Sequence, residues 1–310
     1  MKILLKDVVY RNPTKNDARQ TFELLIRCDM SEYGEPDSDI EDIQNDWEQI
    51  DLAQDAWLAF LPEGDLIGYA AVLPYGDDLS YDFYVDPSWT DAALGGILLD
   101  HCETRGNSLI QKGVASTEVV ARTFISRVNH RDQQEVKQAG FTLGRYYAQM
   151  QVNLSVHLPK PEWPAGVTMR AFLPGQDDRR VHELIQTAFH QPGRSPRSFE
   201  DWQAFMMAPN LFDEDLWFLA AAGEVIVGVC LCVAYSDIGW VRQLGVEQDW
   251  QRKGIGAALL HHAFNVLKGR GYDKAGLTVV SQRPTSYRFY KKVGMEQARQ
   301  YDEYVKILTK

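Results

Sequence analysis

The stretch "WQRKGIGAALLHHAF", Trp250–Phe264, decides how the chain is read. Its second half is helical: Ile255, Ala258, Leu259 and Ala263, continued by Val266 and Leu267, make one apolar stripe. Its first half is an odd way to begin a helix. Gly254 and Gly256 are poor helix formers, and Arg252 and Lys253 are adjacent cations. A helix N-terminus, however, presents unpaired N–H groups and partial positive charge, and so can hold phosphate. Glycine lets backbone approach an anion closely, and the two cations add charge. A Walker A loop does not fit, because no G-x-x-x-x-G-K-[ST] occurs. A dinucleotide fingerprint fails because its third glycine position holds Leu259.

Around this turn the second half reads as an α+β plan. "VTMRAF" is a strand, followed by a helix after Asp177 and Asp178 with Val181, Leu184, Ile185 and Ala188 on one face. "LWFLAAA", a turn at Gly223 and "VIVGVCLCVAY" form a hairpin, and "GWVRQLGV" is the next strand. After the helix come the strand "GLTVV", a short helix "TSYRFYKKVG" stopped at Gly294, and a closing strand "DEYVKIL".

The first half repeats this pattern. "LIGYAAVLPY" (Leu66–Tyr75) matches "IVGVCLCVAY" (Ile226–Tyr235) at a shift of 160. "VDPSWTDAALGGILL" (Val85–Leu99) matches "VEQDWQRKGIGAALL" (Val246–Leu260) at a shift of 161, and "VKQAGF" (Val136–Phe141) parallels "YKKVGM" (Tyr290–Met295). A single repeat of about 150 residues means two copies of one domain, not a solenoid. "HLPKPEWPAG" (His157–Gly166) lacks periodicity and reads as a semi-rigid linker. The expected division is 1–156, linker 157–166, and 167–310.

Q-x-x-G-x-G at Gln251, Gly254 and Gly256, between a strand and an amphipathic helix, resembles the coenzyme A site of the GNAT N-acetyltransferase superfamily. "TSYRFYKKVGM" is similar to that family's second signature. The resemblance covers 167–310 well and the first half weakly; the two-copy layout is similar to that of mycothiol synthases. It implies two tandem GNAT-like domains, each a mixed, mostly antiparallel twisted sheet flanked by helices. It also implies an acyltransferase that moves an acetyl group from acetyl-CoA, the co-substrate, to an amine attacking directly. By the same resemblance the amides of Arg252, Lys253, Gly254, Ile255, Gly256 and Ala257, with Gln251, hold the pyrophosphate. Leu244, Gly245 and Val246 bind the pantetheine arm, the Leu244 amide stabilises the oxyanion, and Tyr290 protonates the leaving thiolate. Arg283 stands where many relatives carry an asparagine that contacts pantetheine. The strand offers Arg242 where many carry a glutamate, so the base is sought among Asp237, His190, Glu200 and Glu214, or in a water chain. A non-catalytic acetyl-CoA sensor on the same fold is the alternative.

The first copy lacks the site. Asp91 replaces Arg252, Ala92 replaces Lys253, Ala93 replaces Gly254 and Val136 replaces Tyr290, while Gly95 is kept against Gly256. A carboxylate about 4 Å from a phosphate costs on the order of 4 kcal/mol near a protein surface. The first half is therefore expected to keep the fold without the transfer site, buttressing the second half and walling the acceptor cleft.

The 310 residues, 45% hydrophobic and 24% charged, suit two globular domains. A net charge of -11 disfavours nucleic acid and anionic membranes and suits a small-molecule or peptide amine, with the protein a monomer or homodimer. Cys28, Cys102, Cys230 and Cys232 show no zinc spacing, and no metal is expected. Free thiols and the absence of a signal peptide or membrane-length apolar run point to the cytoplasm. Trp47, Trp57, Trp89, Trp250, Tyr287, Phe289 and His262 read as packing residues. His261 and His262, adjacent on a helix, point about 100° apart and cannot share a metal well. His190 reads as a surface residue, and the acidic run Glu32–Asp46 as a solvated loop and helix.

Overall fold

The computed structural model describes residues 5–37, 39–89, 93–112, 118–189, 197–209, 212–235, 237–280 and 284–309. In chain order the first elements are β1 (Val9–Arg11), α1 (Ala18–Tyr33), α2 (Ile40–Glu48), α3 (Leu52–Asp55), β2 (Ala56–Phe60) and β3 (Leu66–Tyr75). Next come β4 (Asp78–Val85), α4 (Ala93–Gln111), β5 (Glu118–Ser126), α5 (His130–Gln138) and β6 (Thr142–Asn153). The second half begins with β7 (Thr168–Ala171), α6 (Asp178–Ala188), α7 (Phe199–Met206), β8 (Trp217–Ala222), β9 (Val225–Ala234) and β10 (Gly239–Val246). It ends with α8 (Ile255–Gly269), β11 (Lys274–Val280), α9 (Pro284–Lys292) and β12 (Glu296–Thr309).

Contacts divide the chain into two compact units: 1–147 with 299–310, and 148–298. In the first unit the strand order is β1-β2-β3-β4-β5-β12, with the start of β6 beyond β12. In the second it is the end of β6, then β11-β10-β9-β8-β7. β1/β2, β2/β3, β3/β4, β5/β12, β7/β8, β8/β9 and β9/β10 pair antiparallel, whereas β4/β5 and β10/β11 pair parallel.

Strand alternation builds a two-faced core in each unit. In the first, Ala59, Ala70 and Val72 face α4 residues Leu94 and Leu98, while Leu58, Tyr69 and Ala71 pack with Leu24 of α1 and Trp47 of α2. In the second, Phe218, Cys230 and Cys232 face α8 residues Leu259 and Ala263. Trp217, Val229 and Leu231 pack with Leu184 of α6 and Trp202 of α7. Glycine at one repeated strand position lets the helix settle: a Cβ on Gly68 would sit 3.1 Å from Leu98, and one on Gly228 would sit 2.9 Å from Ile255.

Two expectations about the domain division change. The proline-rich segment is not a free connector. Leu158 is buried in the second unit's core, Trp163 packs against that core, and Asn265 of α8 donates to the Pro159 carbonyl at 3.0 Å. Three prolines remove periodicity, but Leu158 and Trp163 still supply apolar surface to bury. The closing strand forms as expected but belongs to the first unit, where Tyr301–Thr309 pairs antiparallel with Ser126–Glu118 of β5. Alternation specifies a strand and its inner face; it does not specify which copy supplies the partner.

The two shifts seen in the repeat also acquire a cause. β3 and β4 pair without interruption from Gly68↔Val85 to Tyr75↔Asp78. β9 and β10 pair likewise, except that Val241↔Cys232 is followed by Gln243↔Leu231. Arg242 is the extra residue of a β-bulge, and it turns the shift of 160 into 161. Among the described residues no helix is long and apolar enough to cross a membrane.

Candidate active site

The second unit brings the end of β10, the start of α8 and the body of α9 together. β10 runs beside β11 only at Gly239↔Ala275 and Trp240↔Gly276, so the parallel pair parts before Leu244. Leu244 lies opposite Cys230 in the β9 register. Gly245 is small because of α6: a Cβ there would come 2.8 Å from Leu184. Past Val246 the chain enters the turn, and Gln251 Nε2 donates back to the Val246 carbonyl at 3.1 Å. The glutamine of the motif thus ties the turn to the strand.

The turn itself is left-handed twice. Arg252 has φ 60°, the one positive-φ non-glycine residue among those described, and Gly254 has φ 92°. Gly254 is required by this conformation and not by crowding, since a Cβ there would meet nothing within 4 Å. Gly254 is the N-cap of α8 without any side-chain cap, and the first helical bond runs from Ala258 N to Gly254 O. The amides of Gly254, Ile255, Gly256 and Ala257 therefore have no intrahelical partner. Lys253 stacks its ammonium 4.7 Å from the Trp250 ring centre, and both it and Arg252 are exposed.

Gly256 serves a second purpose that the sequence does not disclose. A Cβ there would lie 3.3 Å from the Phe289 ring and 3.8 Å from Val246. This contact brings α9 close to the turn. One residue on, Tyr290 packs against the core, and burial, with the nearby Cys230 thiol, pushes its phenol up to about 12. Leu244 and Tyr290 thus both approach Cys230. Arg283 and His190 lie outside the described residues. Of the other proposed bases, Asp237 is paired with Lys274 at 3.2 Å, and Glu200 and Glu214 are exposed. Tyr287 and Phe289 pack against the core; His262 sits between Trp163 and Phe218. Cys230 and Cys232 are buried with their sulfurs 3.7 Å apart. Sequence reasoning missed the ion pair of Arg180 with Glu247, which fastens α6 to the residue after β10.

In the first unit the corresponding helix start is filled from within. Asp91 and Ala92 lie outside the described residues, but α4 and α5 are clear. A Cβ on Gly95 would lie 1.9 Å from Glu135 Oε2, so the Glu135 carboxylate occupies the space beside the first turn of α4. Glu135 precedes Val136 as Phe289 precedes Tyr290. Among the described residues its buried Oε2 has no hydrogen-bond partner. Burial, reinforced by Asp132, pushes the carboxyl up to about 7 despite the nearby Gly96 amide.

The acidic run is also more than a solvated face. Glu32, Asp42 and Asp46, with Asp29, Asp82 and Asp132, line a first-unit cavity of about 400 Å³ whose wall includes Tyr69 and Tyr84. Burial pushes Asp46 up to about 6 and raises Glu32, Asp42, Asp82 and Asp132 as well.

Comparison with known proteins agrees with this architecture. Residues 179–295, inside the second unit, match the Acetyltransferase (GNAT) family. The chain is 29% identical over 247 residues to a mycothiol acetyltransferase of Thermobispora bispora, covering 76% of this chain and 78% of the relative. It is 30% identical over 237 residues to one of Streptomyces scabiei, covering 74% and 73%. A GCN5-related N-acetyltransferase from Sphaerobacter thermophilus superposes with a TM-score of 0.88 at 31% identity, covering 99% of this chain and 98% of the other. A tandem GNAT protein from the clavulanic acid biosynthesis pathway shares the fold at a TM-score of 0.73 and 12% identity, covering 97% and 98%. With two copies of the fold in one chain and relatives of this closeness along most of its length, the protein belongs to the Acetyltransferase (GNAT) family and is an N-acetyltransferase.

Proposed function

We propose that the second unit transfers an acetyl group from acetyl-CoA to the amine of a small molecule by direct attack. The observation that carries this reading is the uncapped, doubly left-handed start of α8 at the end of a strand that has parted from its parallel neighbour. Four amides without intrahelical partners and a helix dipole there suit a pyrophosphate, with Arg252 and Lys253 adding charge. Acetyl-CoA supplies the activated thioester. Leu244, Gly245 and Val246 offer backbone groups to the pantetheine arm. The Leu244 amide polarises the thioester carbonyl and stabilises the oxyanion. Tyr290, held protonated by burial, gives its proton to the departing thiolate. Gln251 supports the turn from behind through Val246.

The relatives named mycothiol acetyltransferases put a mycothiol-type amine first among acceptors to try. The test is calorimetric titration of acetyl-CoA into the full chain and into Gly254→Val, followed by acetyl transfer across a panel of amines. Binding lost in the variant, with transfer by the parent chain, supports the reading. Equal binding by both proteins sinks it.

A further inference from the structure

Arg242 is the one residue that β10 has and β4 lacks. It sits at the bulge, two residues before Leu244. Bulges re-aim a side chain, and here the result is a guanidinium 4.2 Å from the Phe205 ring centre at the end of α7. A second guanidinium, that of Arg197, lies 4.5 Å from the same ring. Among the described residues neither has a carboxylate partner. Among the described residues the only hydrogen bond of the Arg242 side chain is a long one, 3.4 Å, to the Phe205 carbonyl. Burial lowers the Arg242 pKa; Tyr235 opposes this and the nearby Arg197 guanidinium adds to it. The arrangement is unusual for a chain of net charge -11, whose other arginines are mostly engaged by acids, as Arg180 is by Glu247 and Arg270 by Asp213. Both guanidiniums lie over the Phe205 ring, a contact that leaves their N–H groups to offer. The neighbouring Gln243 has its Oε1 engaged, accepting from Trp202 Nε1 at 3.1 Å, so the side-chain groups left on this stretch of strand are N–H donors.

We infer that Arg242 and Arg197 form an oxoanion-binding site, and that the acceptor amine carries a carboxylate or phosphate which this pair receives. This rests on the acetyltransferase reading for the word acceptor, and on geometry alone for the anion. Guanidinium forks match carboxylate and phosphate oxygens alike, so the shared chemistry is a planar or tetrahedral oxoanion.

Two measurements test it. In the first, acetyl transfer by the full chain is compared over matched pairs: an amino acid against its amide, and an amino-sugar phosphate against the free amino sugar. The expected result is a preference for the anionic member that falls tenfold or more in Arg242→Gln, chiefly through KM, and is partly restored in Arg242→Lys. The carboxylate and phosphate pairs, read separately, tell which oxoanion is meant. Preference for the neutral member by the parent chain overturns the inference, as does a preference that Arg242→Gln leaves intact. In the second, acetate and inorganic phosphate are titrated into the full chain and into the Arg242→Gln and Arg197→Gln variants. At least tenfold weaker anion binding in each variant is expected; equal binding overturns the inference. This second measurement needs no turnover, so it still decides the matter if no amine is acetylated and the transferase reading fails alone.

Discussion

The carboxylate of Glu135 fills the space beside Gly95 that any side chain at that position would need. The equivalent space in the second unit, beside Gly256, is bordered by the ring of Phe289. One copy of the fold has therefore placed a carboxyl group of its own at the start of the helix. The other has an apolar wall there and leaves the amides without intrahelical partners.

This has a pH signature. A carboxyl raised to about 7 binds a proton more tightly folded than unfolded, where glutamate titrates near about 4.3. Its contribution is thus most favourable below about pH 4 and is lost as pH rises through about 7. Asp46, raised to about 6, acts in the same direction. Glu135→Gln is expected to flatten part of the decline in first-unit stability between pH 5 and 8 and to gain about 1–2 kcal/mol at pH 8. Denaturant unfolding at the two pH values measures it, and a variant that loses stability at pH 8 counts against the account.

Tyr290→Phe should lower kcat by about 10²-fold while leaving acetyl-CoA affinity within a few-fold. Because the phenol is pushed up to about 12, the parent enzyme should show no loss of rate from this group up to about pH 11. A pH–rate profile with a descending limb near 10 that vanishes in the phenylalanine variant would contradict the burial argument.

Arg252 and Gly254 should respond in opposite senses. Arg252 holds a left-handed backbone that costs a non-glycine residue about 1 kcal/mol. Arg252→Gly should therefore raise the melting temperature slightly while weakening acetyl-CoA binding through the lost cation. Gly254→Val forces a β-branched residue to φ near 92° and should both destabilise the turn and reduce acetyl-CoA affinity at least tenfold. Melting curves with and without acetyl-CoA separate the two effects.

A chain ending at Ala298 should retain the second unit and lose the first. It removes the partner of β5 along Tyr301–Thr309, together with the buried Tyr304 and Leu308. Limited proteolysis should then cut within 1–147 while 148–298 stays protected. Cleavage of both units at equal rates would show that β12 is dispensable to the first.

Much of this could be read from the sequence, because the deciding features are local. The α8 stripe, the β8–β9 hairpin and the stop at Gly294 each follow from spacing and backbone chemistry within a few residues. The site's glycines were legible only in part. Gly254 answers to its own φ, whereas Gly256 answers to Phe289, 33 positions away, and Gly95 to Glu135. Likewise the offset between shifts of 160 and 161 was visible in the repeat, but only pairing located the extra residue at Arg242. The acidic run looked like a wet surface because sequence gives charge and not enclosure; Tyr69, Asp82 and Asp132, from distant strands and helices, close the cavity around it.

The placement of β12 sets an order of events during synthesis. Domains ordinarily complete themselves from the N-terminus as the chain emerges. Here the second-made unit has all of its strands once residue 298 is free of the ribosome, whereas the first-made unit lacks the strand beside β5 until residues 301–309 follow. The older half of the nascent chain must wait with an open sheet edge, and a segment translated after the whole second unit is the one that shields it from other chains.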